Sequence, residues 1–407
     1  MDDLKIAMLT DTYIPQVNGV ATSVNLFKKY LENLGEKVYV FAPMVPKNEN
    51  NAFKVSGLKF FWEKQHRLAI PISHKISNLT SKLNIDVIHS HAPFSMGFQA
   101  LRVSEKLGIP HVHTYHTLLT EYRHYVPLPF RPTEEAVKEF SAWFCNLTDA
   151  VIAPTDKIKE ELISYGVTVP IKVLPTGIDV ENFQKPLTFS LREKYSIPSD
   201  HKIVLYAGRI AKEKNVDFLL ESFALLRSSI KKVTLVMAGN GPEVQETLHR
   251  AHRLGISENV ILTGYVKRDM LVEYYRQADV FAFASVTETQ GLVVLEALAA
   301  GLPVVAVGKE GVKDVLKNGV GCILLDEVEL VSFTKALERV LRDRTLSEKM
   351  SLDGVKYVTE HWSMNTMARK LDEIYANVIM SSNRKRRKKD GSKSFFAYLR
   401  RFGLRVF

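Results

Sequence analysis

Short apolar runs alternate with helical periodicity along the whole chain. "KIAMLT" predicts a strand, and "VATSVNLFKKYLENLG" predicts a helix with Gly35 as its stop. "KVYVFAP", "DVIHSH", "PHVHTYH" and "DAVIAPT" predict further strands, each near helix-forming sequence. Past "IKVLPTGIDV" the rhythm restarts with "KIVLYAGRI", "VTLVMAGNG", "NVILTGYV", "DVFAFAS" and "PVVAVG". These runs are almost continuously apolar and end in small or turn-forming residues, as strands buried on both faces of a parallel sheet do. Alternating strands and helices predict doubly wound sheets. Two such series, joined near residues 175–185, predict two similar α/β domains. A helix over "SMNTMARKLDEIYANVIM" follows the second series and needs some other surface to cover.

Doubly wound sheets bind ligands beyond the carboxyl ends of their strands. The polar and glycine residues gather at "TDTYIPQVNGVATS", "HTYHT", "GRIAKEKN", "GNGPE" and "TETQGL". Each follows a strand, so all can face one cleft between the domains. Gly291 opens a helix whose first N–H groups lack internal acceptors, a site suited to phosphate. Arg209 and Lys214 follow a buried strand and flank another helix start, where basic side chains are disfavoured. Together they can neutralise a diphosphate. Between Thr289 and Gly308 the only charged residue is Glu296. A carboxylate in so apolar a helix needs hydrogen-bond donors. Ribose hydroxyls would serve, and so would a neighbouring helix. Glu288 would lie roughly 12 Å away along a continuous helix, a separation suiting the two ends of one nucleotide sugar.

The motif Glu288–Glu296 with seven residues between, Arg209 with Lys214, "AGNGPE" at 238–243 and the loop around Gly19 resemble the retaining glycosyltransferases of family 4. The resemblance covers about 380 residues. It implies the GT-B fold, two Rossmann-like doubly wound domains with the active site in the cleft between them. On this reading residues 1–178 form an acceptor-side domain and 179–360 a nucleotide-sugar-binding domain. A helix over 361–382 crosses back to the first domain, and 383–407 form a basic amphipathic tail. The resemblance further implies that Arg209 and Lys214 bind the donor diphosphate, Glu288 the hexose and Glu296 the ribose. Gly19 would close over the reacting centre, and His116 of "HTYHT" would sit near the transferred sugar. His116, Glu288, Arg209 and Lys214 form the implied catalytic set. The implied substrate-binding set is Gly19, Asn240, Gly241, Val266, Glu288, Thr289, Gln290, Gly291, Leu292 and Glu296.

Strand alternation puts residues 111, 113 and 115 on one face and His116 beyond the strand. His111 and His113 lack carboxylates at ligand spacing, and no D-x-D motif is present, so no metal is expected. No cofactor is expected either. The implied reaction is a metal-independent hexosyl transfer that keeps the anomeric configuration, through positioning and stabilisation of the leaving diphosphate.

Composition adds the acceptor. The chain has 407 residues, 46% hydrophobic and 25% charged, comfortable for two globular domains. Its formal charge of +10 is localised. Residues 383–407 hold ten Lys or Arg and one Asp, leaving 45 basic against 44 acidic side chains elsewhere. From Phe395 onward, Phe395, Tyr398, Leu399, Phe402 and Val406 share one helical face, while Arg400, Arg401 and Arg405 lie opposite and Leu404 is the exception. A basic amphipathic tail reads as an anchor to anionic lipid. No apolar run is long enough to span a bilayer, the start "MDDLKIAMLTD" does not read as a signal peptide, and two distant cysteines point to a reducing compartment. "DTYIPQVNGVATSV", "HTYHTLLTEYRHYVP" and "TETQGLVVLEALAAG" resemble bacterial 1,2-diacylglycerol 3-glucosyltransferases. That implies UDP-glucose as donor, diacylglycerol as acceptor and a peripheral position on the cytoplasmic side of the membrane. A soluble or glycan acceptor would leave the donor site unchanged. A dehydrogenase is disfavoured because the first strand does not lead into G-x-G-x-x-G. Nucleic acid is disfavoured because the neutral body offers no basic groove.

Overall fold

A computed structural model describes residues 3–16, 18–55, 57–59, 67–69, 74–116, 119–122, 131–285, 291–309 and 311–386. Glu288, Thr289, Gln290 and the amphipathic segment from Phe395 lie outside them. The chain divides into two compact units, Met1–Thr176 with the chain from Met367 onward, and Gly177–Thr366.

Among the described residues the first unit holds nine strands: β1 (Lys5–Leu9), β2 (Lys37–Ala42), β3 (Ala52–Lys54), β4 (Gly57–Lys59), β5 (Arg67–Ala69), β6 (Val87–Ser90), β7 (His111–Thr114), β8 (Ala150–Ala153) and β9 (Ile171–Val173). Seven make one sheet in the order β3-β2-β1-β6-β7-β8-β9, all parallel, and β4 and β5 pair antiparallel by themselves. The helices are α1 (Gly19–Asn33), α2 (His74–Leu83), α3 (Ser95–Leu107), α4 (Leu119–Tyr122), α5 (Glu134–Asn146) and α6 (Asp156–Ser164). Local chemistry fixes their ends. Asn18 accepts from Ala21 N at 2.9 Å and Thr155 from Ile158 N at 3.3 Å, each satisfying an orphan donor of a first turn. Gly35, the expected stop of α1, follows it at φ 103°, a conformation that costs glycine little.

The second unit holds β10 (Lys202–Ala207), β11 (Val233–Ala238), β12 (Val260–Gly264), β13 (Val280–Phe283), β14 (Val304–Val307) and β15 (Cys322–Leu325) in the order β12-β11-β10-β13-β14-β15, all parallel. Its helices are α7 (Leu191–Lys194), α8 (Val216–Ser229), α9 (Val244–Arg253), α10 (Arg268–Gln277), α11 (Leu292–Ala299), α12 (Gly311–Val315), α13 (Leu330–Arg342) and α14 (Arg344–His361). Successive side chains of a strand point to opposite faces. Ile203, Leu205 and Ala207 therefore pack into one apolar cluster with Tyr274, Tyr275 and Val294, while Val204 and Tyr206 pack into another with Leu219, Phe223 and Phe333. Covering both faces is what makes the strand an unbroken apolar run.

The last helix among the described residues, α15 (Met364–Arg386), continues beyond the expected "SMNTMARKLDEIYANVIM". Within the first unit it buries Leu371, Tyr375 and Val378, and Ser382 Oγ donates to Asp149 at 2.9 Å. Among the described residues, no helix is long and apolar enough to cross a membrane.

Candidate active site

In the second unit, strand order reverses between β10 and β13, and the crevice beyond their carboxyl ends is the topological ligand site. The loop after β10 is held against the loop after β11. Gly208 N donates to Ala238 O at 3.0 Å, Ile210 N to Asn240 O at 3.0 Å, and Glu243 N to Ile210 O at 3.1 Å. A Cβ on Gly239 would lie 1.8 Å from Gly208 O, and one on Gly241 would lie 2.1 Å from Ile210 O. The glycines of "GNG" thus permit two backbones to touch. The contact leaves Arg209 and Asn240 exposed. Tyr206 Oη donates to Arg209 O at 2.9 Å and fixes the turn that presents the guanidinium.

Lys214 closes a single 3-10 turn, followed by Asn215 in the left-handed region at φ 54°. Asn215 Nδ2 donates to Ala284 O at 3.3 Å and Ser285 Oγ to Glu213 O at 3.4 Å. These bonds tie the basic loop to the end of β13, the strand that leads toward α11. Gly291, buried and at φ 65°, precedes α11 with no capping side chain. Leu292 and Val266, both half-buried, pack against the apolar cluster of this face.

Glu296 is 7% exposed, within α11. Its carboxylate accepts from Arg268, the first residue of α10, in a hydrogen-bonded ion pair, and from Tyr275 Oη at 3.2 Å. A neighbouring helix therefore supplies donors that this buried charge requires. Burial, reinforced by the facing carboxylate, pushes the Tyr275 hydroxyl well above its ordinary pKa, so it stays a donor. Each carboxylate oxygen has a second lone pair, so further hydroxyls can still be accepted. Arg268 carries no signal in the sequence beyond its place at a helix start.

In the first unit, strand order reverses between β1 and β6. Asp11, just past β1, accepts from Ser95 Oγ and, at 3.3 Å, from Met96 N, capping α3. Burial pushes its carboxyl up to about 6, against the lowering effect of those bonds. The string "TDTYIP" contained this residue, but nothing in it marked a capping role across 84 positions. Gly19 is the exposed first residue of α1, and a Cβ there would meet nothing within 4 Å. Packing among the described residues does not demand a glycine there.

His116 lies beyond β7 with its Nε2 3.1 Å from His91 Nδ1. The two ring centroids lie 5.4 Å apart with the planes inclined by 26°, as an edge-to-edge hydrogen bond requires, and the ring of His91 lies 4.1 Å from that of His89. His89 bonds Tyr375 Oη at 2.6 Å and Thr114 Oγ1 at 2.7 Å. Ser90 Oγ takes His111 Nε2 at 2.7 Å and His113 Nδ1 at 2.8 Å. Burial pushes His111 and His116 down to about 4, and holds His89, His91 and His113 well below the usual imidazole range. The rings are therefore neutral at pH 7. His91, His116, Ser23, Thr114 and Thr176 line a small pocket in this unit, with Thr176 Oγ1 donating to Ser23 Oγ at 2.9 Å. Among the described residues, no group of three His, Cys, Asp or Glu is placed to hold a metal ion.

Residues 17–182 match the family described as Glycosyltransferase Family 4, and 188–356 match Glycosyl transferases group 1. The chain is 32% identical over 394 residues to the alpha-monoglucosyldiacylglycerol synthase of Streptococcus pneumoniae, covering 93% of this chain and 87% of that protein. It is 30% identical over 405 residues to the protein of the same name from Acholeplasma laidlawii, covering 95% of this chain and 100% of that one. Among solved structures it is similar to Anabaena Alr3699/HepE in complex with UDP, with a TM-score of 0.74 at 18% identity over 92% of this chain and all of that one.

Proposed function

The chain belongs to glycosyltransferase family 4 and has the GT-B fold, and from that premise we propose that it transfers glucose from UDP-glucose to diacylglycerol at an anionic membrane surface on the cytoplasmic side. The observation that carries this reading is the near full-length similarity to two alpha-monoglucosyldiacylglycerol synthases. A tail sequence with ten cations, in which Phe395, Leu399 and Phe402 recur at helical spacing, supports the membrane part. Each cation near anionic lipid contributes on the order of 1 kcal/mol.

The donor diphosphate lies against Arg209, Lys214 and the opening of α11 at Gly291. The ribose hydroxyls donate to Glu296, and Glu288 with Thr289 and Gln290 takes the hexose. Asn240, Gly241, Val266 and Leu292 complete the nucleotide side, and Gly19 and His116 are assigned to the transferred sugar. Transfer is a substitution with retention. The bond from the anomeric carbon to the phosphate oxygen breaks, the acceptor oxygen bonds that carbon on the same face, and the acceptor proton passes to the leaving phosphate. Arg209 and Lys214 supply positive charge where negative charge accumulates, the main electrostatic contribution. No metal or cofactor takes part.

The test is a panel of nucleotide sugars against diacylglycerol vesicles, glycerol and free glycans, with products identified by mass spectrometry. Glucolipid formed from UDP-glucose is expected. Transfer only to a soluble acceptor would refute the lipid assignment and leave the donor assignment standing.

A further inference from the structure

His116 does not stand alone at the end of β7. Its Nε2 meets His91 Nδ1 at 3.1 Å, and both rings are neutral because burial disfavours their charged forms. A neutral imidazole carries one proton, on one nitrogen. Two arrangements are therefore possible. In one, His91 Nδ1–H donates to His116 Nε2, and His116 carries its own proton on Nδ1. In the other, His116 Nε2–H donates to His91 Nδ1, and His91 carries its proton on Nε2.

The surroundings of His91 distinguish them. Its Nε2 is buried with no hydrogen-bond partner among the described residues. The second arrangement would put an orphaned N–H there, whereas the first puts only a bare lone pair. Orphaned buried N–H groups are the rarer defect, and leaving a donor unmade costs about 1–3 kcal/mol. The plane of His91 is set by His89, 4.1 Å away and itself held by Tyr375 and Thr114.

We propose that His91 is a positioning residue that fixes His116 as the Nδ1–H tautomer, so that His116 offers a hydrogen-bond donor and not a base. A donor can hold a sugar oxygen but cannot remove an acceptor's proton, which leaves that proton to the departing phosphate. Only this consequence for turnover rests on the proposed function; the tautomer does not.

The test is 15N NMR of the full chain with histidine-selective labelling at pH 7.5, the His116 signals being assigned by their loss in His116→Gln. Wild-type protein should show Nδ1 protonated and Nε2 bare. In His91→Gln, whose amide nitrogen mimics Nε2 and cannot reach the Nδ1 position, His116 should shift toward the Nε2–H form. Turnover should fall on the order of tenfold while the KM for nucleotide sugar stays near wild type, because a misaimed donor costs less than the 10²–10³ of a deleted one. An Nε2–H tautomer in wild type would overturn the proposal, whether or not the variant folds. So would an unchanged Nδ1–H tautomer in folded His91→Gln. Wild-type protein with the expected tautomer but no glucosyl transfer would instead sink the functional reading.

Discussion

Lowering the pH from 7 to 5 should loosen the first unit selectively, through its buried histidines. His111 and His116 titrate near 4 in the folded chain, and an unfolded histidine titrates near 6.5. A depressed histidine pKa means that the unfolded chain binds protons the native one refuses, so stability falls as pH drops through 6.5 toward 4. Taking the proton-binding ratio at each pH, a histidine of this kind loses about 2 kcal/mol between pH 7 and 5. His116 is only half-buried and loses less. Asp11 works the other way. Its folded pKa of about 6 exceeds its unfolded 3.8, so its protonation restores about 1 kcal/mol over the same interval. The net is a loss of about 2 kcal/mol from these three, and His89, His91 and His113 shift in the same direction as His111. In the second unit, Glu273 has a depressed pKa, so its contribution is lost only as pH falls below 4.5. Hydrogen exchange read by mass spectrometry, corrected for intrinsic rates, separates the units within one sample. Opening free energies of β6 and β7 peptides should drop by about 2 kcal/mol or more, while those of β10 and β11 should hold. Equal drops in both units, or β6 and β7 unchanged, would refute the reasoning.

Three further outcomes follow from the site. Glu296→Gln should weaken UDP-glucose binding about ten- to a hundredfold by calorimetry with the fold retained, because hydrogen bonds to a charged acceptor contribute about 1.5–3 kcal/mol each; unchanged affinity would remove Glu296 from the ribose. Arg209→Ala and Lys214→Ala should each reduce kcat by about 10²–10³ with little change in melting temperature, and EDTA should leave wild-type activity intact; magnesium-dependent rescue after EDTA would show that these cations do not suffice. Deleting residues 383–407 should abolish co-sedimentation with anionic vesicles and leave nucleotide-sugar binding unchanged, and binding of the full chain should fall with salt without vanishing, because salt does not screen the apolar face of Phe395, Leu399 and Phe402.

The sheets were legible because their strands are buried on both faces, which writes them as runs such as "KIVLYAG". Of the four edge strands of the two parallel sheets, β12 was legible in "NVILTGYV" and the other three were not. β3, β9 and β15 have only three or four residues each and are mostly half-exposed, so they leave neither a continuous nor an alternating pattern. The loops of the candidate site were legible because glycine, basic and acidic residues are out of place after buried strands. Glu296 stood out by type, yet its ion pair with Arg268 did not, since helix α10 is joined to it only by tertiary packing. The histidine network was hidden for the same reason. His91 and His116 stand 25 positions apart and meet because β6 and β7 are neighbours in the sheet.

The central claim, retaining transfer of glucose to diacylglycerol, is tested most directly at the anomeric carbon of the product. The full chain would be incubated with UDP-glucose and diacylglycerol in anionic vesicles, with EDTA present, and the extracted lipid examined by proton NMR. A monoglucosyl lipid with the α configuration of the donor is the predicted result. A β-linked glucolipid, or free glucose with no lipid product, would contradict it.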